Sequence, residues 1–238
     1  LLAATSPAVA LVGQHGLTEN AAAAGLLAGT LGMASGAWGF AGAGWLLAGL
    51  SKPGIGAAAV AGCACYAVWT ARQSGWRAAV APLAAVAAGV GASMWLSRAF
   101  WPSASLFSVG IYGPVVIRQV AESGMSHYFE MLWWLGGAPL VWWTISSLRP
   151  ANRPSFPGLR RLHAAALCVA AAVFLMVTFY GAMGPAYVAL IVPGLAVLAA
   201  MRGGVVRPAV IVLLAGQMAL AGLYERSQTF GWRRLGDY

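Results

Sequence analysis

Long apolar stretches, separated by short polar or basic connectors, make up most of the chain. A hydrocarbon core of ~30 Å takes roughly 20 apolar residues of helix, and seven stretches come close to or exceed that length. Strict alternation of apolar and polar residues, which is typical of membrane β-strands, is missing from them. The predicted spans are residues 22–50, 54–71, 78–97, 129–148, 162–181, 183–201 and 207–224.

The pattern predicts an all-α fold, a polytopic transmembrane helix bundle of about seven or eight spans in one domain, 1–238. Residues 1–13 are apolar but short, so they are either the end of an eighth helix or an interfacial stretch. Three segments are predicted to lie outside the spans: an irregular interfacial segment at 98–128, a basic connector at 149–161 and a polar tail at 225–238. No basic region precedes the first apolar run, so we expect no signal peptide.

The composition agrees with a membrane location. The 238 residues are 61% hydrophobic and only 8% charged, which excludes a soluble enzyme, a disordered tail and a coiled coil. The net charge of +9 would suggest nucleic acid as the partner of a soluble chain. Here the basic residues lie between apolar runs, where they orient helices and meet lipid phosphates. We therefore expect membrane lipid, and no nucleic acid, as a partner.

Basic residues of short loops collect on the cytoplasmic side of a membrane. The densest cluster comprises Arg149, Arg153, Arg160 and Arg161, so this connector is predicted to lie inside. Counting spans from it places four more arginines on the same side: Arg72, Arg77, Arg202 and Arg207. The predicted location is an integral membrane one, in a bacterial inner membrane.

Small residues form a stripe on the first predicted span. Gly25, Gly29, Gly32 and Gly36 recur at steps of three and four residues, which brings them onto one helix face. Such a stripe lets another helix approach closely. The partner helix is predicted to belong either to this chain or to another subunit.

The ionisable and sulfur-containing residues indicate little chemistry within the spans. All five acidic residues fall at span ends or in loops, which argues against a proton-coupled transporter. His127 is predicted outside and His163 inside, so the two cannot ligate one haem; His15 is predicted inside, at a span end. The three cysteines are interpreted as small packing residues, and no metal site or nucleotide-binding motif is predicted.

Two segments of the C-terminal half carry a family resemblance, WLGGAPLVWWTISSL at 134–148 and VLLAGQMALAGLY at 212–224. Together with the basic connector and the spacing of the spans between them, they resemble the membrane-anchor subunit of dimethyl-sulfoxide-reductase-type molybdoenzymes. SKPG at 51–54 and WLSRAFW at 95–101 are weaker similarities. The resemblance implies a haem-free polytopic protein that passes electrons from quinol to an iron-sulfur partner.

The chain departs from that family at two positions. No histidine precedes Lys52 and Pro53, where family members carry one before a Gly-x-Pro turn, and Gln217 replaces an acidic residue after Gly216. Both departures remove groups that could accept a quinol proton. Gln217 remains a candidate for a hydrogen bond to a neighbouring helix or to a bound head group.

A quinol site requires an aromatic-walled pocket near one interface, with a proton acceptor. The residues predicted to supply it, with quinol or quinone as the only candidate cofactor, are Trp101, Tyr112, Glu122, His127, Glu130 and Gln217. The aromatic residues among them are equally typical of a belt at the lipid head groups.

The preferred function is an integral membrane subunit of an electron-transfer complex, which anchors partner subunits such as an iron-sulfur protein and handles quinol. One alternative is a small-molecule permease, in which Pro82, Pro139 and Pro193 would break helices at mid-depth. The other is a purely structural membrane subunit of a different complex.

Overall fold

The computed structural model describes residues 17–100, 138–149, 154–179 and 185–201, together with positions 212, 215, 216 and 219. Across these residues it is all-helical, as predicted from the sequence, with no strand. The helices are α1 (Leu17–Ser35), α2 (Trp38–Ser51), α3 (Pro53–Ser74), α4 (Trp76–Phe100), α5 (Ala138–Ser147), α6 (Pro157–Phe179) and α7 (Pro185–Ala200).

Three of these helices are long and apolar enough to cross a membrane. The qualifying segments are Gly54–Ser74 in α3, Trp76–Ala99 in α4 and Pro157–Val177 in α6, and α7 contributes the shorter apolar segment Ala189–Ala200. These helices are compatible with a transmembrane protein. The count of seven or eight spans stays a prediction.

The prediction of one span over 22–50 is wrong, because the chain turns back between α1 and α2. Gly36 has a φ of +77°, a left-handed value that glycine adopts without strain. The Ala37 N–H donates to the Gly32 carbonyl at 2.9 Å, a bond typical of a helix that ends at such a glycine. A single helix over 22–50 would be roughly 43 Å long, well beyond a hydrocarbon core of ~30 Å.

The next two turns are equally short. Lys52 separates α2 from α3, and Pro53 occupies the start of α3, where its missing N–H costs no helical bond. Gly75 separates α3 from α4 with a φ of +83°, and its N–H donates to the Ala71 carbonyl at 2.9 Å. The first four helices therefore run up and down between two ends of the bundle. We name these the Lys52 end and the Arg72 end, after residues beside the α2–α3 turn and the α3–α4 turn.

The later helices extend this bundle from α3. Gly62 of α3 packs against Val169 of α6, and Arg161 interacts electrostatically with Tyr66, so α6 runs antiparallel to α3 from the Arg72 end. Gly194 of α7 packs against Ala170 of α6. The remaining described helix, α5, is joined to α7 by a hydrogen bond from the Thr144 hydroxyl to the Leu195 carbonyl, at 3.0 Å.

Several predicted boundaries are corrected. α4 continues to Phe100, so Arg98 is helical and does not begin an irregular segment. α6 begins at Pro157, so Arg160 and Arg161 lie in a helix and not in a connector. Of the prolines that the permease alternative would use to break helices, Pro82 and Pro193 lie inside continuous helices, and Pro139 lies in the first turn of α5.

The core of the described bundle is apolar, and each of its few buried serine and threonine hydroxyls bonds within its own helix, with Thr144 also bonding to α7. Each donates to a backbone carbonyl three or four residues earlier, at 2.7 to 3.0 Å. Such bonds satisfy a hydroxyl without a partner on another helix. These residues are Thr30, Ser93, Thr144, Ser146 and Ser147.

Candidate functional site

The six residues predicted to bind quinol all lie outside the described residues. Five of them fall between the end of α4 at Phe100 and the start of α5 at Ala138, and Gln217 falls between the helical positions 216 and 219. The quinol site therefore stays a prediction. The described helices contain other features that bear on function.

The first feature is the close contact between α1 and α2. A methyl group at Gly25 would lie 2.6 Å from the Ala48 nitrogen, and one at Gly32 would lie 2.5 Å from the Ala41 nitrogen. Gly44 of α2 faces the backbone of Gly25 and Gly29 in the same way. Of the two partners considered for the glycine stripe, the described structure places a helix of this chain against it.

Gly36 does not belong to that helix-packing stripe. It is the turn residue between α1 and α2, and a methyl group on it would meet no atom within 4 Å. Its positive φ, and not a neighbouring helix, is what favours glycine there. The sequence spacing placed it on the stripe only because α1 was predicted to continue.

Trp45 of α2 fills the centre of this contact. It is 0% exposed, and methyl groups at Gly29 of α1 and Gly89 of α4 would lie 2.5 Å and 2.9 Å from its side chain. Gly29 therefore leaves room for the indole against α1, and Gly89 lets α4 approach the Trp45 Cβ and the α2 backbone. Its Nε1 is buried and has no hydrogen-bond acceptor within the part of the chain that the structure describes.

An ion pair ties the start of α1 to the α2–α3 turn. The Lys52 Nζ lies 2.6 Å from a Glu19 carboxylate oxygen, and both side chains are partly buried. This contact requires that α1 begin at the Lys52 end. His15 lies outside the described residues. Its predicted placement on the same side as His163 assumed one span over 22–50, and the structure has two helices there.

Two of the three cysteines lie in α3, and the third lies in α6. The Cys63 thiol is buried, 3.6 Å from the Met33 sulfur of α1, whereas Cys65 is exposed and Cys168 of α6 is partly buried. Within the described ranges, no group of three or more His, Cys, Asp or Glu side chains could hold a metal ion. The packing role predicted for cysteine describes Cys63 well.

Charge is unevenly distributed between the two ends of the described bundle. Arg72 and Arg77 flank the α3–α4 turn, and Arg160 and Arg161 lie in the first turns of α6 at the same end. Lys52, paired with Glu19, and Arg98 lie at the opposite end. Excess positive charge marks the cytoplasmic side of membrane proteins, so this distribution favours the Arg72 end as the inner one.

The outer face of α4 carries exposed aromatic residues at both ends. Trp76 is 77% exposed and Trp95 is 71% exposed. Arg77 is exposed next to Trp76, and the remaining exposed positions between the two tryptophans are apolar, among them Val80, Leu83 and Gly91. The two tryptophans are 19 positions apart, which corresponds to roughly 28 Å of helix and is close to the ~30 Å of a hydrocarbon core.

Sequence reasoning missed the ion pair and the role of Trp45. Lys52 is the single lysine of the chain, and Glu19 is the single acidic residue before position 122, so a contact between them could have been considered. That contact is incompatible with a straight helix over 22–50. The error in the first span therefore concealed both features.

Comparisons with protein families, with curated proteins and with solved structures find no match to this chain.

Proposed function

We propose that the protein is an integral membrane subunit that anchors the other subunits of an electron-transfer complex. The electron-transfer part of the proposal is supported by the resemblance of residues 134–148 and 212–224 to molybdoenzyme membrane anchors. A bacterial inner membrane is the location that fits such a complex. Quinol or quinone is its proposed ligand, in the region from Trp101 to Glu130.

The observation that carries the membrane part of the proposal is the outer face of α4. Tryptophan prefers the boundary between head groups and hydrocarbon, where its ring is partly apolar and its N–H can still find an acceptor. Trp76 and Trp95 stand roughly 28 Å apart on one membrane-length helix, and apart from Arg77 beside Trp76 the exposed positions between them are apolar. In water, the same surface would be an aggregation hazard.

The packing of the described helices supports a scaffold more than a permease. The glycine contacts bring α1 and α2 together backbone against backbone, and the buried Trp45 of α2 packs against Gly29 of α1 and Gly89 of α4. The proline-containing helices α4 and α7 are continuous, whereas transporters typically present broken helices at mid-depth. A rigid, apolar bundle is suited to holding partner subunits at a membrane.

Purification of the full-length protein from its native membrane, in a mild detergent, tests this function. We expect an iron-sulfur protein to co-purify in a constant ratio, measured by quantitative mass spectrometry and by iron content. A protein that purifies alone and transports a solute into liposomes would overturn the proposal and favour the permease.

The quinol site is tested separately in the assembled complex. His127→Gln and Glu130→Gln are expected to lower the rate of quinol oxidation by about 100-fold, the usual contribution of a proton acceptor. His163→Gln is the matched control, because this histidine lies in α6 near the Arg72 end. If both site variants oxidise quinol at the unsubstituted rate, the site lies elsewhere, although the anchor function would stand.

A further inference from the structure

A groove lies between α3 and α6 on the outside of the bundle. Its volume is about 440 Å³, and its walls are alanine, leucine, methionine and cysteine side chains. Ala61 and Cys65 of α3 and Leu167 and Ala171 of α6 are exposed along it. The groove follows the helices for about 12 Å, from Ala57 to Cys65.

Arginines continue the two walls of this groove toward the Arg72 end. Seven residues make almost two helical turns. Two residues seven positions apart therefore lie on the same face of the helix, separated by about 10 Å along its axis. Arg72 follows Cys65 by seven residues, and Arg161 precedes Cys168 by seven. Arg160 stands in the same relation to Leu167, and all three arginines are exposed.

These arginines carry positive charge that the described residues do not neutralise. Glu19 is the single acidic residue in the described ranges, and it pairs with Lys52 at the other end of the bundle. Arg161 is near enough to Tyr66 of α3 to interact with it electrostatically, at the same end of the bundle as Arg72. The two helices therefore present an apolar groove that leads to a positively charged end.

We propose that this groove binds one anionic phospholipid, with an acyl chain between α3 and α6 and the phosphate at Arg72, Arg160 and Arg161. The groove and the arginines together extend for roughly 22 Å, which suits a head group with most of one acyl chain. Guanidinium groups bind phosphate with paired hydrogen bonds, and both spans have their arginines within a turn of their ends, at head-group depth. The inference is independent of the electron-transfer function, because it rests on α3 and α6 alone.

Native mass spectrometry of the full-length protein in detergent, with dioleoylphosphatidylglycerol or dioleoylphosphatidylcholine added, tests the head-group part. We expect Arg72→Gln and Arg161→Gln each to weaken binding of the anionic lipid by about five-fold, with binding of the neutral lipid unchanged. Arg77→Gln is the matched control, since Arg77 lies at the same end but on α4. Equal binding of both lipids by the unsubstituted protein would overturn the proposal.

The acyl-chain part is tested with Ala61→Phe and Ala171→Phe, which fill the groove from either wall. Each is expected to weaken binding of the anionic lipid by roughly ten-fold, through the loss of about two buried methylenes. Ala87→Phe on the exposed face of α4 is the control, and circular dichroism verifies that each variant retains its helices. If lipid binding survives in both filled variants, or if inorganic phosphate displaces the lipid completely, the arginines bind a phosphate without the groove and the proposal is wrong.

Discussion

The α1–α2 pair and the α3–α6 pair are both antiparallel contacts between apolar helices, yet they close to different degrees. In α1–α2, Gly25 and Gly32 meet the facing backbone, and Gly44 faces it from the other side. In α3–α6, backbone contact is made at Gly62, while alanines and Cys65 line an open groove beside it. Glycine at successive turns closes an interface along its length, whereas one glycine leaves space at its edge.

The largest effect is expected where the closed interface is filled by one side chain. Trp45→Ala should lower the free energy of unfolding by about 3 to 5 kcal/mol, because it leaves a cavity where the buried indole packs against Gly29 of α1. Reversible unfolding in mixed micelles measures this loss. Trp95→Ala, at an exposed position of α4, should change the same quantity by about 0.5 kcal/mol or less. Similar losses at the two positions would contradict a buried role for Trp45.

A bulky side chain at the helix contact should have the next largest effect. Gly44→Leu should lower the free energy of unfolding by about 1 to 3 kcal/mol, since the atoms that it meets belong to the α1 backbone and cannot move aside. Gly91→Leu provides the control, because Gly91 faces open space on α4. Both variants are compared by the same unfolding titration, and a tolerated leucine at position 44 would mean that α1 and α2 do not touch there.

Alanine substitutions at and just after the turn between α1 and α2 should have a smaller effect on the free energy of unfolding. The sign of that effect tells a turn from a continuous helix. Gly36→Ala should lower the free energy of unfolding by about 1 kcal/mol, because alanine is strained at a positive φ. Gly39→Ala, in the first turn of α2, should raise it by about 0.5 kcal/mol through the higher helix propensity of alanine. Opposite signs at these two positions distinguish a turn from a continuous helix, in which both substitutions would stabilise.

The smallest effect is expected in the open groove. Ala61→Leu should change the free energy of unfolding by about 0.5 kcal/mol or less, because its side chain enters unfilled space between α3 and α6. The contrast with Gly44→Leu, measured in the same micelles, is the direct comparison of the two helix pairs. A loss as large as that at position 44 would mean that the groove is closed in the membrane.

Hydrophobic runs were sufficient to predict that helices form. They were not sufficient to locate a turn inside a run. Ser35, Gly36 and Ala37 are small and weakly polar, so average hydropathy does not fall at the turn. The length of the run was the available signal, because a helix over 22–50 exceeds the thickness of a hydrocarbon core. The glycine spacing was visible, but the helix that packs against it, α2, fell inside the same predicted span 22–50.

The groove could not be predicted from the sequence. Alanine and cysteine at Ala61, Cys65 and Cys168 are ordinary residues of an apolar helix, and only the antiparallel pairing of α3 with α6 brings them together. The arginines were predicted to share one side, and the described helices bring Arg72 and Arg161 to one end of the bundle. Their common relation to the groove requires knowledge of which faces pack.

The distance between spin labels at positions 24 and 47 tests the α1–α2 hairpin most directly. Ala24 and Leu47 are both exposed, and labels are placed there after the three native cysteines are replaced by alanine. If α1 and α2 are packed antiparallel, the backbone atoms that carry the two labels should be about 10 to 15 Å apart. A separation of about 35 Å, as in one straight helix, would contradict the hairpin and the bundle built on it.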